Sequence, residues 1–342
     1  MAVVDLDPGL TAAGPAAIDA ALADSLGAPL LVRFHADALE TADVRVLRAW
    51  FRSAPVATMG IGTPPPDLRD ALDLWVDDLA AADRLAAGFE RAPLAGVASA
   101  WLTRVPPTGV WPGLVAESTT YSMLQGGPEF AAWRASRDAK PADDGDEPRV
   151  RVEAARGHHV ITLTRGARHN ALDTHLRDQL DAALADVAAR DHRPIIVRGD
   201  GASFCSGGDL DEFASFPDPA TAHVIRLSRS LAWRFHELER RLVVGLHGAC
   251  LGAGLELPAF AARVVATDDA RLGLPELGLG LVPGAGGTVS IPRRASRRTL
   301  LTLLWDGEPI DPYRAKRWGL VDEVVPPTRL HDRLHEIADT LG

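Results

Sequence analysis

Two glutamates stand out by the company they keep. Glu256 lies in LHGACLGAGLELP, Leu246 to Pro258, and Glu276 lies in LPELGLGLVPGAGGT, Leu274 to Thr288. The first run reads as a buried strand, Leu242, Val243, Val244 and Leu246, that glycines 248, 252 and 254 turn into a helix. Such a turn leaves backbone N–H groups without acceptors, and the helix's positive end makes them a site for developing negative charge. Glu256 falls in the first helical turn beside that site, and Pro258 is tolerated there because first-turn N–H groups have no helical acceptor anyway. Alone the motif is weak, since a first-turn glutamate is more often a helix-dipole partner than a catalyst. A second glycine turn adds weight. SFCSGGDLDEF, Ser203 to Phe213, follows the apolar strand Ile195, Ile196, Val197 and offers a further donor at Gly207 and Gly208. A third, at Gly284, Gly286 and Gly287, follows Glu276.

These stretches, with HNALDT (His169 to Thr174) and WGLVDEV (Trp318 to Val324), closely resemble the crotonase or enoyl-CoA hydratase/isomerase superfamily from about Val150 to Val325. The resemblance implies an α/β fold, the crotonase-like ββα superhelix. It implies an oxyanion hole from the N–H groups of Gly208 and Ala253, with alanine where relatives usually carry glycine. Glu256 and Glu276 would hold one water between them, and Gly284 would leave room for it. Backbone and side chains around Arg168, Ala171, Asp209, Leu210 and Gly252 would contact the substrate and its coenzyme A, with Arg165 and Arg168 adding charge for phosphates. No metal and no separate cofactor are expected, since coenzyme A arrives as part of the substrate. Both carboxylates favour an enoyl-CoA hydratase or dehydratase, a lyase. Alternatives are another reaction on a CoA thioester (double-bond isomerisation, retro-aldol cleavage or thioester hydrolysis) or a non-catalytic acyl-CoA-binding subunit. A serine hydrolase is disfavoured because no serine lies between Leu246 and Glu256.

There are departures from the family pattern. The segment after Glu256 reads LPAFAAR, placing Ala262 where relatives carry aspartate. After Val325 one helix is expected, Thr328 to Leu341, where the family usually has a longer helical segment that helps build trimers. A homo-oligomer is expected, with the trimer as the unit the resemblance implies, and the first half of the chain is a candidate in-chain substitute for that segment.

With 342 residues the chain has room for about two domains. The expected division is 1–137, a linker at 138–148 (DAKPADDGDEP), and a catalytic domain at 149–342. No run is apolar enough to span a membrane and MAVVDLDPGL is unlike a signal peptide, so the expected compartment is the cytoplasm. A net charge of −10 argues against nucleic acid as a partner. Cys205 and Cys250, inside the glycine turns, read as small buried thiols and not as a disulfide framework. Lysine occurs only at 140 and 316, leaving few candidates for Schiff-base chemistry.

The elements that position this chemistry follow from periodicity. Two strands, Val150 to Val152 and Val160 to Leu163, are joined through Gly157, His158 and His159, which read as a solvated turn. Asp173 to Ala188 reads as an amphipathic helix, and Ala220 to Arg241 as a helix roofing the acyl pocket, with Trp233 and Phe235 as lining or core. RRASRR (Arg293 to Arg298) and the pair His331, His335 read as exposed polar faces. The first half offers strands at Pro29 to Phe34, Pro55 to Ile61 and Leu94 to Ala98, and a helical stretch at Asp67 to Arg91. Helices follow from Val115 to Arg137, broken at Gly126 to Pro128, where Tyr121, Met123, Phe130 and Trp133 read as packing residues.

Three segments of that half parallel the second in order. LLVRFHADALET (Leu30 to Thr41) matches TLTRGARHNALDT (Thr162 to Thr174), PVATMGIG (Pro55 to Gly62) matches PIIVRGDG (Pro194 to Gly201), and FERAPLAGVASA (Phe89 to Ala100) matches LERRLVVGLHGA (Leu238 to Ala249). The expectation is a smaller degenerate crotonase-like α/β lobe. It would be non-catalytic, because Pro66 stands opposite Gly208 and has no N–H to donate.

Overall fold

The computed structural model describes residues 3–6, 28–34, 41–105, 107–138, 147–213 and 218–341. Most of the expected linker, residues 139–146, lies outside them, as do residues 35–40 of the first matched repeat segment. Two main sheets organise the chain. In the first half β1 (Val3–Leu6), β2 (Leu30–Phe34), β3 (Thr58–Ile61) and β4 (Leu74–Val76) form a parallel sheet in that order. In the second, β5 (Val150–Ala155), β6 (His158–Leu163), β7 (Ile195–Gly199), β8 (Leu242–Leu246), β10 (Arg263–Thr267) and β12 (Glu323–Val325) form a six-stranded sheet. Only the β5–β6 hairpin is antiparallel; the other pairs are parallel.

A second tier turns this sheet into a superhelix. After β8 the chain makes the short β9 (Ala249–Leu251) and the helix Ala253–Glu256, and after β10 it makes β11 (Arg271–Gly273) and the turn Glu276–Leu279. β9 and β11 pair in parallel above the β8–β10 pair. Isolated bridges Cys205 to Cys250 and Leu172 to Gly208 continue the tier. Every residue of β6 and β8 is buried, which is why β8 reads as an unbroken apolar run; β6 buries His158, His159 and Thr162 along with its apolar residues.

The hydrophobic core runs through both halves of the chain. The helix Leu79–Glu90 packs so closely on Arg297–Asp306 that a Cβ on Gly88 would sit 1.7 Å from the Trp305 carbonyl oxygen. Trp305 meets Phe89 edge-to-face at 5.0 Å and its indole N–H donates to Ser99 Oγ at 3.0 Å. Beside this contact Asp73, 2% exposed, receives the Thr58 N–H and hydroxyl and the guanidinium of Arg104 from the first half, together with that of Arg297 from the second.

Several local expectations change. Leu94 to Ala98 is not a strand but part of the helix Pro93–Arg104, which starts on Pro93 and is rich in alanine; a short apolar run cannot by itself distinguish the two. The third matched repeat segment therefore lies on a helix in the first half and a strand in the second. The stretch Asp67 to Arg91 contains β4 between two helices. The β5–β6 turn is only Arg156 and Gly157, with φ of 52° and 87°, so His158 and His159 belong to β6 and are buried. His335 is buried against His158, with ring centroids 5.1 Å apart, and burial lowers the pKa of both. The roof helix breaks at Arg229 and Ser230 into Pro219–Ser228 and Leu231–Glu237. RRASRR is not a solvated face: Arg294 binds two carbonyls and Asp322, Arg297 binds Asp73, and Arg298 lies 3.6 Å over the Trp75 ring. Of the expected packing residues, Phe130 is buried and Trp133 half-buried against it, but Met123 is exposed.

Asp73 is the charge on which the two halves meet. Asp73→Ala would leave two guanidiniums facing each other, so a loss of about 3 to 5 kcal/mol of unfolding stability is expected in chemical denaturation.

Candidate active site

The second tier brings the glycine turns together. Leu251 N–H donates to the Cys205 carbonyl at 3.1 Å, and a Cβ on Gly252 would lie 3.7 Å from the Gly207 Cα. Both cysteines are free and buried at this crossing, and burial raises the pKa of each thiol, Cys205 to about 11. In the Leu172–Gly208 bridge, Leu172 N–H donates to the Gly207 carbonyl and Asp209 N–H to the Leu172 carbonyl. The Gly208 N–H lies between them and outside the bridge. Ala253 opens the helix Ala253–Glu256, and the Leu255 and Glu256 N–H groups both return to the Gly252 carbonyl. That leaves the first-turn N–H of Ala253 outside the helical ladder, beside the helix's positive end.

Gly252 is required twice over. Its φ of 50° with ψ of −121° is a conformation that side chains resist, and a Cβ there would lie 2.5 Å from Glu276 Oε1. Glu276 is thus packed against the turn that carries Ala253.

Glu256 and Glu276 are buried, at 2% and 8% exposure, and their carboxyl groups interact directly. Glu256 Oε2 accepts the N–H groups of Ala285 at 2.7 Å and Gly287 at 2.9 Å. Ser290 Oγ donates to the Glu256 carbonyl at 2.7 Å, fastening the helix Gly287–Arg294 to the same residue. Glu276 Oε2 has no hydrogen-bond partner among the described residues. Burial pushes the Glu276 carboxyl up to about 8. Burial, then the charges of Glu276 and Glu117, hold Glu256 well above the usual carboxylate range. Two carboxyls in one desolvated site titrate as a coupled unit, and burial disfavours the charged form of each.

The other expected contact residues fall around this pair. Gly284 stands at the start of the turn that holds Glu256. Ala171 gives its carbonyl to Arg165, and Arg168 is half-buried, 3.5 Å from Asp211. Asp209 is bound by Arg165 at 2.7 Å, which with Arg168 holds its carboxyl below the usual range against the opposing effect of burial. Arg165 also lies 3.2 Å from Asp173 and is buried, so it is not a phosphate-facing charge as expected. Leu210 is half-buried beside Asp209. Trp233 packs edge-to-face on Trp111 at 5.4 Å and Phe235 is core. A cavity of about 170 Å³ opens beside the turn, bounded by Leu172, Arg226, Leu231, Ala232, Gly284 and Gly286. Both pieces of the roof helix contribute to it.

Sequence reasoning missed Glu117 and placed Tyr121 only as packing. Both stand on the first-half helix Val110–Gln125, one turn apart. Glu117 Oε1 accepts Gly286 N–H at 2.7 Å, and its Oε2 accepts Thr288 N–H at 2.8 Å and Thr288 Oγ1 at 2.7 Å. Burial lifts its carboxyl to about 7. The Tyr121 ring closes on Gly284, where a Cβ would meet it at 2.6 Å, and the Arg226 guanidinium covers the ring at 4.2 Å. The one sequence signal was a single charged residue, Glu117, in the helix VWPGLVAESTTYSMLQ, and a lone charge does not name its partner.

The tiered ββα superhelix, with paired buried carboxylates beside backbone donors, has the crotonase fold. Among solved structures, the enoyl-CoA hydratase of Thermoplasma volcanium GSS1 superposes with a TM-score of 0.52 at 31% identity, over 56% of this chain and 77% of that one. The family model for enoyl-CoA hydratase/isomerase matches residues 153–342. A 2,3-dehydroadipyl-CoA hydratase of Escherichia coli (strain K12) is 34% identical over 172 residues, 49% of this chain and 65% of the relative. A probable enoyl-CoA hydratase of Bacillus subtilis (strain 168) is 36% identical over 155 residues, 44% of this chain and 60% of the relative. The chain belongs to the enoyl-CoA hydratase/isomerase family. It spans less than two thirds of the length of these two relatives, and the family model's match lies in its second half.

The raised Glu276 carboxyl has a consequence for stability. The folded protein binds this proton more tightly than the unfolded chain, so its contribution to stability is full below about 4.5 and is lost as pH rises to about 8. Thermal melting should therefore show a decline across that window, and Glu276→Gln should flatten it.

Proposed function

We propose that the protein acts on acyl-CoA thioesters as an enoyl-CoA hydratase or dehydratase. The reading rests on one observation: two buried, interacting carboxyls, Glu256 held by two backbone N–H groups and Glu276 with an oxygen left unpartnered. Membership in a family named for hydratases and isomerases supports it. Adding water to the β carbon moves an electron pair onto the thioester oxygen, and that charge exists only near the transition state. The N–H groups of Gly208 and Ala253 would stabilise it, each worth on the order of 2.7 to 4 kcal/mol. One carboxylate takes a proton from the bound water as its oxygen bonds to the β carbon, and the protonated partner delivers a proton to the α carbon as the enolate collapses. The Glu256 oxygen not bound to the turn and the free Glu276 oxygen are the groups available for this.

Arg168, Ala171, Asp209, Leu210, Gly252 and Gly284 would frame the thioester and its coenzyme A; no further cofactor enters the scheme. We read the first half as a decayed non-catalytic copy of the same fold, supported by its parallel sheet and by Pro66 opposite Gly208. A trimer-based homo-oligomer remains the family-derived proposal for assembly. No helix among the described residues is long and apolar enough to cross a membrane, which fits a cytoplasmic setting.

Short, medium and aromatic enoyl-CoA thioesters should lose their conjugated absorbance with the purified protein, and Glu256→Gln and Glu276→Gln should each abolish this. A single-carboxylate isomerase would keep activity in one variant. Binding without turnover in the wild type would favour an acyl-CoA-binding subunit.

A further inference from the structure

The turn from Ala285 to Thr288 presents four consecutive backbone N–H groups, and two carboxylates divide them. Glu256 takes those of Ala285 and Gly287 from one side, and Glu117 takes those of Gly286 and Thr288 from the other. The Thr288 hydroxyl adds a third bond to Glu117. Neither carboxylate can shift without pulling on a backbone that the other also holds. Glu117 itself is anchored from outside the site: its helix is tied to Pro219–Ser228 by Arg226, which bonds Ser118, Ser122 and Gln125, and by Ser118 to His223 at 2.8 Å. The turn that aims Glu256 is therefore set by a helix that lies outside every crotonase-like motif of the chain.

We propose that Glu117 is a positioning residue for Glu256, fixing the 285–288 turn so that Glu256 Oε2 is occupied and its other oxygen faces Glu276. The proposal rests on the function proposed above for the Glu256–Glu276 pair. Glutamine at 117 keeps the shape but replaces one acceptor oxygen with an amide that meets a backbone N–H donor to donor, so one side of the clamp must open. A displaced general base loses rate more than binding.

The test measures Glu117→Gln in the full chain in two ways. With the enoyl-CoA thioester that the wild type turns over best, kcat should fall about tenfold to a hundredfold with KM changed less than threefold. By hydrogen exchange and mass spectrometry, the 284–288 amides should exchange faster while the core strands do not. Asp78→Ala, which removes an exposed helix cap at Ala81 N–H, serves as a comparison and should lower stability without changing kcat. A folded Glu117→Gln protein with wild-type kcat and unchanged exchange at 284–288 overturns the proposal. If the wild type turns over no thioester, the functional reading fails by itself, and the exchange arm still decides whether Glu117 holds the turn. Should Glu117→Gln not fold, Thr288→Val removes one of the three bonds; a severalfold loss of kcat with faster exchange supports the clamp, and wild-type values for both overturn it.

Discussion

The site depends on a backbone that two carboxylates hold from opposite sides. A glycine-rich turn has little stiffness of its own, because glycine loses more freedom on ordering than any other residue. Four N–H groups in a row, left unpaired in a buried place, would be costly. Dividing them between Glu117 and Glu256 meets both demands, and it turns a flexible glycine-rich segment into a support for the Glu256 carboxyl.

That solution concentrates three buried carboxyls in one small volume, and desolvation dominates their chemistry. It raises Glu117 to about 7 and Glu276 to about 8, and holds Glu256 well above the usual carboxylate range. Backbone hydrogen bonds work the other way for Glu117 and Glu256, favouring the charged form at the two groups that must accept N–H donors. Glu276 keeps one oxygen with no partner among the described residues. A polar atom left open in a core is normally a liability. In the function proposed above, that oxygen is the one that would meet a bound water.

The first half of the chain secures this arrangement from a distance. Asp73 gathers guanidiniums from both halves, Trp305 inserts between Phe89 and Ser99, and the helix Val110–Gln125 lies along Pro219–Ser228 and against the turn. Sheets that are separate in topology thus share one core.

The sequence alone determined the second half's family and where its glycine turns and paired glutamates lie. Glycines that end strands, carboxylates set beside them and apolar runs of strand length are local features, and each is legible because backbone geometry and burial act over a few residues. Glu256, Glu276, Gly252 and the buried thiols stand where that reasoning puts them. What tertiary structure decided was every outcome that turns on a distant partner. Leu94 to Ala98 is compatible with strand or helix until packing chooses; His158, His335 and Arg297 look solvated until β6, the last helix and Asp73 enclose them. Glu117 lies 169 residues from Gly286 in sequence, and nothing local marks it as that residue's acceptor. A hydrogen bond's energy depends on where both ends lie in space, and only the folded chain brings them together.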